Sequence, residues 1–253
     1  MKLKIMTFNL RTSVATCDGI NCFENRKPHI LNVINKHSPD LIGFQEVRDD
    51  MLDFIRRSLS DTYETVACGR DANLHGECTA IAYKRDAFVM IKCETFWLSP
   101  TPDVPASTYG GDQSKCPRVT TYAVLKANEA QKPFLFANTH FDHEGKNARL
   151  EAARQMTDFF AKSPYPIFFT GDFNDEPDSA PIKMLCESLT DLTTNVGRTF
   201  HNYGRCKEMP MKIDYVFTSV KDIEYSAELV SDGPFDGIYP SDHYPVLVTA
   251  EYN

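Results

Sequence analysis

Asn9, Glu46, His140, Asp172 and Asn174 each stand at or just beyond the end of a short apolar run, in the order KIMTF, LIGFQ, FLFANT and IFFTG. Acidic, amide and imidazole groups in such positions suit the hydrolysis of a phosphate ester. That reaction needs a hard cation to neutralise phosphoryl oxygens, a base to activate water and donors for the developing charge. Glu46 is the expected ligand of Mg²⁺ or Mn²⁺, which prefer oxygen donors. Asp172, helped by Asn9, is the expected group to orient or deprotonate the water. Singly, each residue has a plainer reading. A carboxylate at a strand end commonly caps a helix or closes a turn, as some of those around Pro177 must, and a lone histidine is commonly structural. The set in this order carries the argument.

Two further segments join it. SDHYPV places Asp242 and His243 before the last apolar run, and KIDYVF places Asp214 inside an earlier one. A carboxylate bonded to one imidazole nitrogen fixes the tautomer and raises the ring's pKa, which would let His243 face a phosphate as a donor or acid.

The elements that must position these groups follow from the patterning. Apolar, β-branched and aromatic runs predict strands at 3–8, 40–44, 79–83, 88–98, 119–126, 133–138, 166–170, 213–217 and 244–250. Amphipathic spacing predicts helices over Arg26 to His37, Asp49 to Leu59 and Lys146 to Lys162, the last with Ala148, Ala152, Met156, Phe159 and Phe160 on one face. Strands and helices alternate at the start, strands dominate the middle, and a strand–helix–strand unit precedes a final meander. That order fits an α/β sandwich of mixed sheets. No linker-like stretch or repeat divides the chain, so one domain over 1–253 is expected. The segment from Ser99 to Pro117, with four prolines and two glycines, lacks a period and reads as a loop. A loop of this length is expected to form a rim over the site.

Composition narrows the partner. The 253 residues carry a net charge of −8, so no basic field supports non-specific duplex binding, and a small phosphate ester is favoured. The eight cysteines show neither CxxC pairs nor zinc-like spacing, so free thiols are expected; export would allow Cys17 and Cys22 to close a small loop. The opening MKLKIMTFNL is too short for a signal-peptide core and no run reaches the length of a membrane span, so a soluble, cytoplasmic protein is expected.

TFNLR, FQEV, NTHF, GDFN, IDYVF and SDHYPV, in that order, resemble the signature series of the endonuclease/exonuclease/phosphatase superfamily, over almost the whole chain. The resemblance implies the deoxyribonuclease I-like fold, a four-layer α/β/β/α sandwich of two mixed sheets. It implies Glu46 as principal metal ligand, Asn9 and Asp172 around metal and water, and Asn174 on the scissile phosphate. His140 and His243 would flank that phosphate, with Asp214 orienting His243 and Asp242 assisting at the metal. Glu77, in HGECTAIAYKR, falls where relatives place a glutamate supporting the first histidine. Arg118 matches a position that often contacts phosphate, where its planar fork can grip two oxygens. Asp142, His143 and Arg149 resemble a variant seen in bacterial members related to deadenylase-like and nocturnin-like enzymes, and are read as rim residues. Arg11 stands where apurinic endonucleases of the exonuclease III type place an acidic residue, which argues against DNA repair and for a terminal or exposed phosphate.

The expected function is therefore metal-dependent hydrolysis of a phosphate ester by in-line attack of water, on a nucleotide or nucleic-acid end, by a monomer. Inositol-phosphate phosphatase and sphingomyelinase-like activities share the same core groups. The first would want more basic residues around the pocket, and the second a membrane-seating hairpin or basic amphipathic helix that the sequence lacks. A non-catalytic phosphate- or partner-binding module would be marked by replacement of Glu46, Asp172 or His243, and all three are present. Among Phe96, Trp97, Tyr109, Phe141, Tyr203 and Tyr239, the pair beside the long loop, Trp97 and Tyr109, are the expected substrate-stacking rings.

Overall fold

A computed structural model describes residues 1–128, 132–206 and 211–252. Two six-stranded sheets face each other. The first comprises β1 (Lys2–Asn9), β2 (Leu41–Val47), β3 (Tyr63–Val66), β4 (Cys78–Lys84), β11 (Glu224–Leu229) and β12 (Val246–Glu251), in spatial order β11-β12-β1-β2-β4-β3. The second comprises β5 (Phe88–Trp97), β6 (Val119–Ala127), β7 (Phe134–His140), β8 (Ile167–Asp172), β9 (Thr190–Asp191) and β10 (Asp214–Thr218), in order β5-β6-β7-β8-β10-β9. Helices α1 (Phe23–His37) and α2 (Asp49–Leu59) cover the outer face of the first sheet. Helices α3 (Lys146–Ala161) and α4 (Ala180–Cys186) cover that of the second. The result is the four-layer α/β/β/α sandwich of mixed sheets.

Strand alternation sorts the side chains into layers. On β1, Met6 and Phe8 pack beneath α1 and α2, while Leu3 and Ile5 enter the core between the sheets. Phe134 and Phe136 of β7 and Phe168 of β8 meet them there. Farther along the same inner faces the residues turn polar. Gln45 Nε2 donates to Thr7 Oγ1 and to Asn138 Oδ1, and Thr170 Oγ1 donates to Asn138 Oδ1. Buried polar groups are tolerable because they satisfy one another. Gly43 lies at this seam, where an added Cβ would sit 2.1 Å from Thr170 Oγ1, so only glycine lets the sheets approach so closely. One step beyond the seam, the inner faces end in Asn9, His140 and Asp172.

The strands and helices expected from patterning are all present. Three strands were not legible: β11 is an exposed edge of mostly polar residues, β3 is a four-residue edge, and β9 has only two residues. The 3-10 turn Thr16–Asn21 and the short α4, which opens with Pro181 in its first turn, also lack a periodic signal. α1 starts at Phe23 rather than Arg26, because the N–H groups of Asn25 and Arg26 both donate to the Cys22 carbonyl. All eight cysteines are free thiols, Cys17 and Cys22 included. Among the described residues no helix is long and apolar enough to cross a membrane.

Candidate active site

Strand register assembles one wall of the site. In the second sheet His140 of β7 lies directly beside Asp172 of β8, which lies directly beside Asp214 of β10. In the first sheet Asn9 pairs with Gln45, whose side chain points into the polar seam. Strict alternation would then send Glu46 to the helix side. A bulge between Phe44 and Val47 and a left-handed backbone at Glu46 (φ 59°) turn it back toward Asn9. Arg11 (φ 54°) and Asn174 (φ 50°), which also line the cavity, carry the same uncommon conformation. Arg26, fully buried, holds the loops around it. Its guanidinium donates to the carbonyls of Leu10, Arg11, Asn21 and Pro240, which binds the end of β1 to the segment carrying Asp242 and His243.

The side chains meet on one oxygen. Asn9 Nδ2 donates to Asp172 Oδ2 at 2.9 Å, His140 Nε2 lies 3.6 Å from that oxygen, and His243 Nε2 lies 3.8 Å from it. The other carboxylate oxygen of Asp172 accepts from the Asn174 N–H at 2.9 Å. His243 Nδ1 and Asp214 Oδ2 are 2.9 Å apart, the carboxylate–imidazole pair expected from the sequence. Burial opposes a charge on His243, but Asp214, Asp172 and Asp242 outweigh it and push its pKa up to about 10. Burial, with repulsion from Asp214, pushes Asp172 up to about 7. His140 goes the other way: burial and the nearby Arg118 and Arg70 hold it well below the usual imidazole range. Two histidines beside one carboxylate thus differ in charge, one cationic and one neutral.

The opposite wall is acidic. Glu46 accepts from Asn9 Nδ2 at 3.1 Å and from the Thr12 N–H at 2.8 Å. Burial, with repulsion from Glu46, raises the pKa of Asp242, partly countered by His243 and by Arg11, whose Nε is 3.6 Å away. The half-buried Glu46 and the buried Asp242, two carboxylates that repel each other and are both hard oxygen donors, fit a divalent cation of the Mg²⁺ or Mn²⁺ type. Asn9 Oδ1 accepts the Arg11 N–H at 2.8 Å and its Nδ2 bridges Glu46 and Asp172, so it would reach a cation only through the second lone pair of Oδ1. Asp172, Asp214 and His243 also bring one ligand-type atom each within 4.8 Å of one another. In that trio, however, the Nδ1 of His243 is already taken by Asp214.

The remaining candidates divide. Arg11, Glu77, Arg118, His143 and Asn174 line the same cavity of about 360 Å³ as the groups above. Arg118, buried, places its Nε 3.4 Å from Asp142 Oδ2 and donates from Nη2 to His143 Nδ1 at 2.6 Å. Asn174 Nδ2 donates to the Phe141 carbonyl, which leaves one of its two hydrogens for the cavity. Glu77 does not support His140; its carboxylate is taken by Arg70 at 2.8 Å. Arg149 lies outside the cavity, buried against Asp175 and the Asp142 carbonyl, and Asp142 itself accepts the N–H groups of Ser114, Glu144 and Gly145. Both are supports of the loop that carries His143.

Sequence reasoning missed Arg70, Thr12 and the apolar trio Phe200, Met211 and Ile213 on the cavity wall. None sits at the end of an apolar run except Ile213, so no periodic signal marked them. The long loop is not the expected rim: only Cys116 and the adjoining Arg118 reach the site. The rest packs on α3, where Tyr109 bonds to Glu151 and Gln155, and Trp97 is buried with its Nε1–H on the Arg70 carbonyl. Neither ring faces the cavity.

The comparisons agree with this architecture. A protein from Bacteroides vulgatus of the endonuclease/exonuclease/phosphatase class is 29% identical, with TM-score 0.92 and full coverage of both chains. A mannosyl-6-phosphatase from Bacteroides thetaiotaomicron is 28% identical, with TM-score 0.87 over 99% of this chain and 100% of its own. The catalytic domain of human nocturnin shares the fold at 18% identity, TM-score 0.78, over 100% of this chain and 94% of its own. Residues 6–243 match the model of the endonuclease/exonuclease/phosphatase family, a family of phosphoester hydrolases to which this chain belongs.

Proposed function

We propose that the protein is a divalent-metal-dependent hydrolase of small phosphate esters, in which Asp172 accepts the proton of the attacking water. The observation that carries this reading is the convergence of Asn9, His140 and His243 on Asp172 Oδ2, beside the acidic pair Glu46 and Asp242. A carboxylate lifted to about 7 is well matched to general-base work near neutral pH. Glu46 and Asp242 would hold Mg²⁺ or Mn²⁺, which supplies charge neutralisation at the phosphoryl oxygens when bound. Asn9 braces the two carboxylates that serve these separate tasks. His243, kept cationic by Asp214, donates from Nε2 toward the phosphoryl group, and neutral His140 donates beside it.

The size and lining of the cavity support a compact substrate. Phe200 is the single phenyl ring on its wall among the described residues, and it stands edge-on to His243, 4.9 Å between centroids. That one phenyl ring is all the wall offers a nucleobase, whereas a phosphorylated sugar, the substrate class named for the Bacteroides thetaiotaomicron relative, needs none.

The test is release of inorganic phosphate from sugar phosphates and of p-nitrophenol from p-nitrophenyl esters, with Mg²⁺ or Mn²⁺ and with EDTA, beside Asp172→Ala and His243→Ala. Turnover that needs the metal and disappears in both variants is the expected result. Tight binding of an intact phosphate ester without turnover on any substrate would replace this reading with that of a silent binding module.

A further inference from the structure

Arg70 enters the cavity from the hairpin between β3 and β4, a segment with no periodic or motif signal. Its main chain is fixed before any substrate arrives. The Arg70 N–H donates to the Glu77 carbonyl at 2.9 Å, and the Trp97 indole donates to the Arg70 carbonyl at 2.7 Å. The turn beneath it is tight, because a Cβ on Gly69 would sit 2.2 Å from the His75 carbonyl oxygen. Its side chain is 13% exposed and spends one nitrogen, Nη1, on Glu77. Among the described residues Nε and Nη2 have no partner, and the side chain lines the cavity. Arg118 is in a similar state among the described residues, with Nε on Asp142, Nη2 on His143 and Nη1 unspent. Both guanidinium groups flank His140, on whose ring both act electrostatically.

Unspent donors of a planar fork are matched to paired oxygens of one charged group. A phosphomonoester offers three terminal oxygens and up to two negative charges at neutral pH. A phosphodiester offers two free oxygens and one charge, and its second alcohol takes the place of the third. The gap lined by Arg70, Glu77, Arg118 and His140 has room for only about 10 Å³, so on that side of the two guanidinium groups nothing bulkier than a phosphoryl oxygen fits. We infer that Arg70, together with Arg118, grips the terminal oxygens of the phosphoryl group, so that this site selects phosphomonoesters over phosphodiesters, with Arg70 as the selecting residue. The inference rests on the proposed hydrolysis of phosphate esters.

The experiment compares p-nitrophenyl phosphate with methyl p-nitrophenyl phosphate, which share a leaving group, using the full chain with Mn²⁺. The same comparison is made for Arg70→Met and Arg70→Lys, with folding checked by circular dichroism. The wild type is expected to favour the monoester by about 100-fold in kcat/KM, and Arg70→Met to lose roughly 30-fold on the monoester and under about 3-fold on the diester. Arg70→Lys, which keeps the charge without the fork, should recover part of the loss. Competitive inhibition by inorganic phosphate should weaken by about 10-fold in Arg70→Met, a readout independent of the leaving group. If Arg70→Met does not fold, the wild-type ratio and Arg70→Lys decide alone. A preference for the diester, or equal losses on both esters, overturns the selection by Arg70 while leaving the hydrolase reading intact. No metal-dependent turnover of either ester overturns both.

Discussion

β1 and β2 in the first sheet, and β7 and β8 in the second, are each a parallel pair joined through a helix on the outer face. Both pairs run from an apolar inner face through a polar seam to a functional end. At that end they differ. In the second sheet β7, β8 and β10 keep their register, so His140, Asp172 and Asp214 stand in a row and their spacing is set by the ladder itself. The first breaks its register at a bulge, and Glu46 reaches the site only through a strained backbone. The ordered row is suited to moving protons between fixed atoms. The bulged end, with Asp242 arriving from a loop held by Arg26, is suited to gathering carboxylates around a cation. Two similar supersecondary units thus supply two halves of one reaction.

The largest effect should come from the row. Asp172→Asn keeps the shape and removes the base, and should lower kcat by roughly 10²- to 10⁴-fold at neutral pH with little change in thermal unfolding. Next comes pH. Asp172 holds its proton below its raised pKa, so kcat/KM should fall as the pH drops through about 7; His243 keeps its proton until about 10, so activity should fall again above that. Asp214→Asn removes the main partner of the imidazolium and should move the alkaline limb down by about 1–3 pH units. A profile with an unmoved alkaline limb would take His243 out of the donor role.

Gly43→Ala attacks the seam that both pairs share. The added methyl must displace Thr170 or Asn138, and should cost about 1–3 kcal/mol in urea unfolding. The smallest effect on activity is expected from Tyr109→Phe. It removes hydrogen bonds to Glu151 and Gln155 worth about 1 kcal/mol of stability, and should leave kcat/KM unchanged because the ring faces away from the site. A fall in kcat/KM would return the long loop to the rim of the cavity.

The same contrast explains what could be read from sequence. Asn9, His140 and Asp172 were visible because each continues the inner-facing alternation of its own strand, after Leu3, Ile5 and Thr7 in the first case. Glu46 was visible as a type of residue at a strand end, but its direction depends on a bulge that no local pattern announces. Arg70 was invisible, since it lies in a hairpin and owes its place to Glu77 and to the indole of Trp97. Trp97 and Tyr109 misled for the converse reason. Aromatic rings beside a long loop look available for substrate, yet Trp97 is buried with its indole on the Arg70 carbonyl, and the half-buried Tyr109 bonds to the Glu151 carbonyl of α3.

The division of labour between the two sheets is tested most directly by calorimetric titration of Mn²⁺ into the wild type, Glu46→Gln and Asp172→Asn. The account expects Glu46→Gln to bind Mn²⁺ roughly 10- to 100-fold more weakly, and Asp172→Asn to bind it within about 3-fold of the wild type despite having lost turnover. Equal loss of Mn²⁺ affinity in the two variants would show Asp172 to be part of the cation site, and would contradict the separation of the metal-holding end from the proton-moving row.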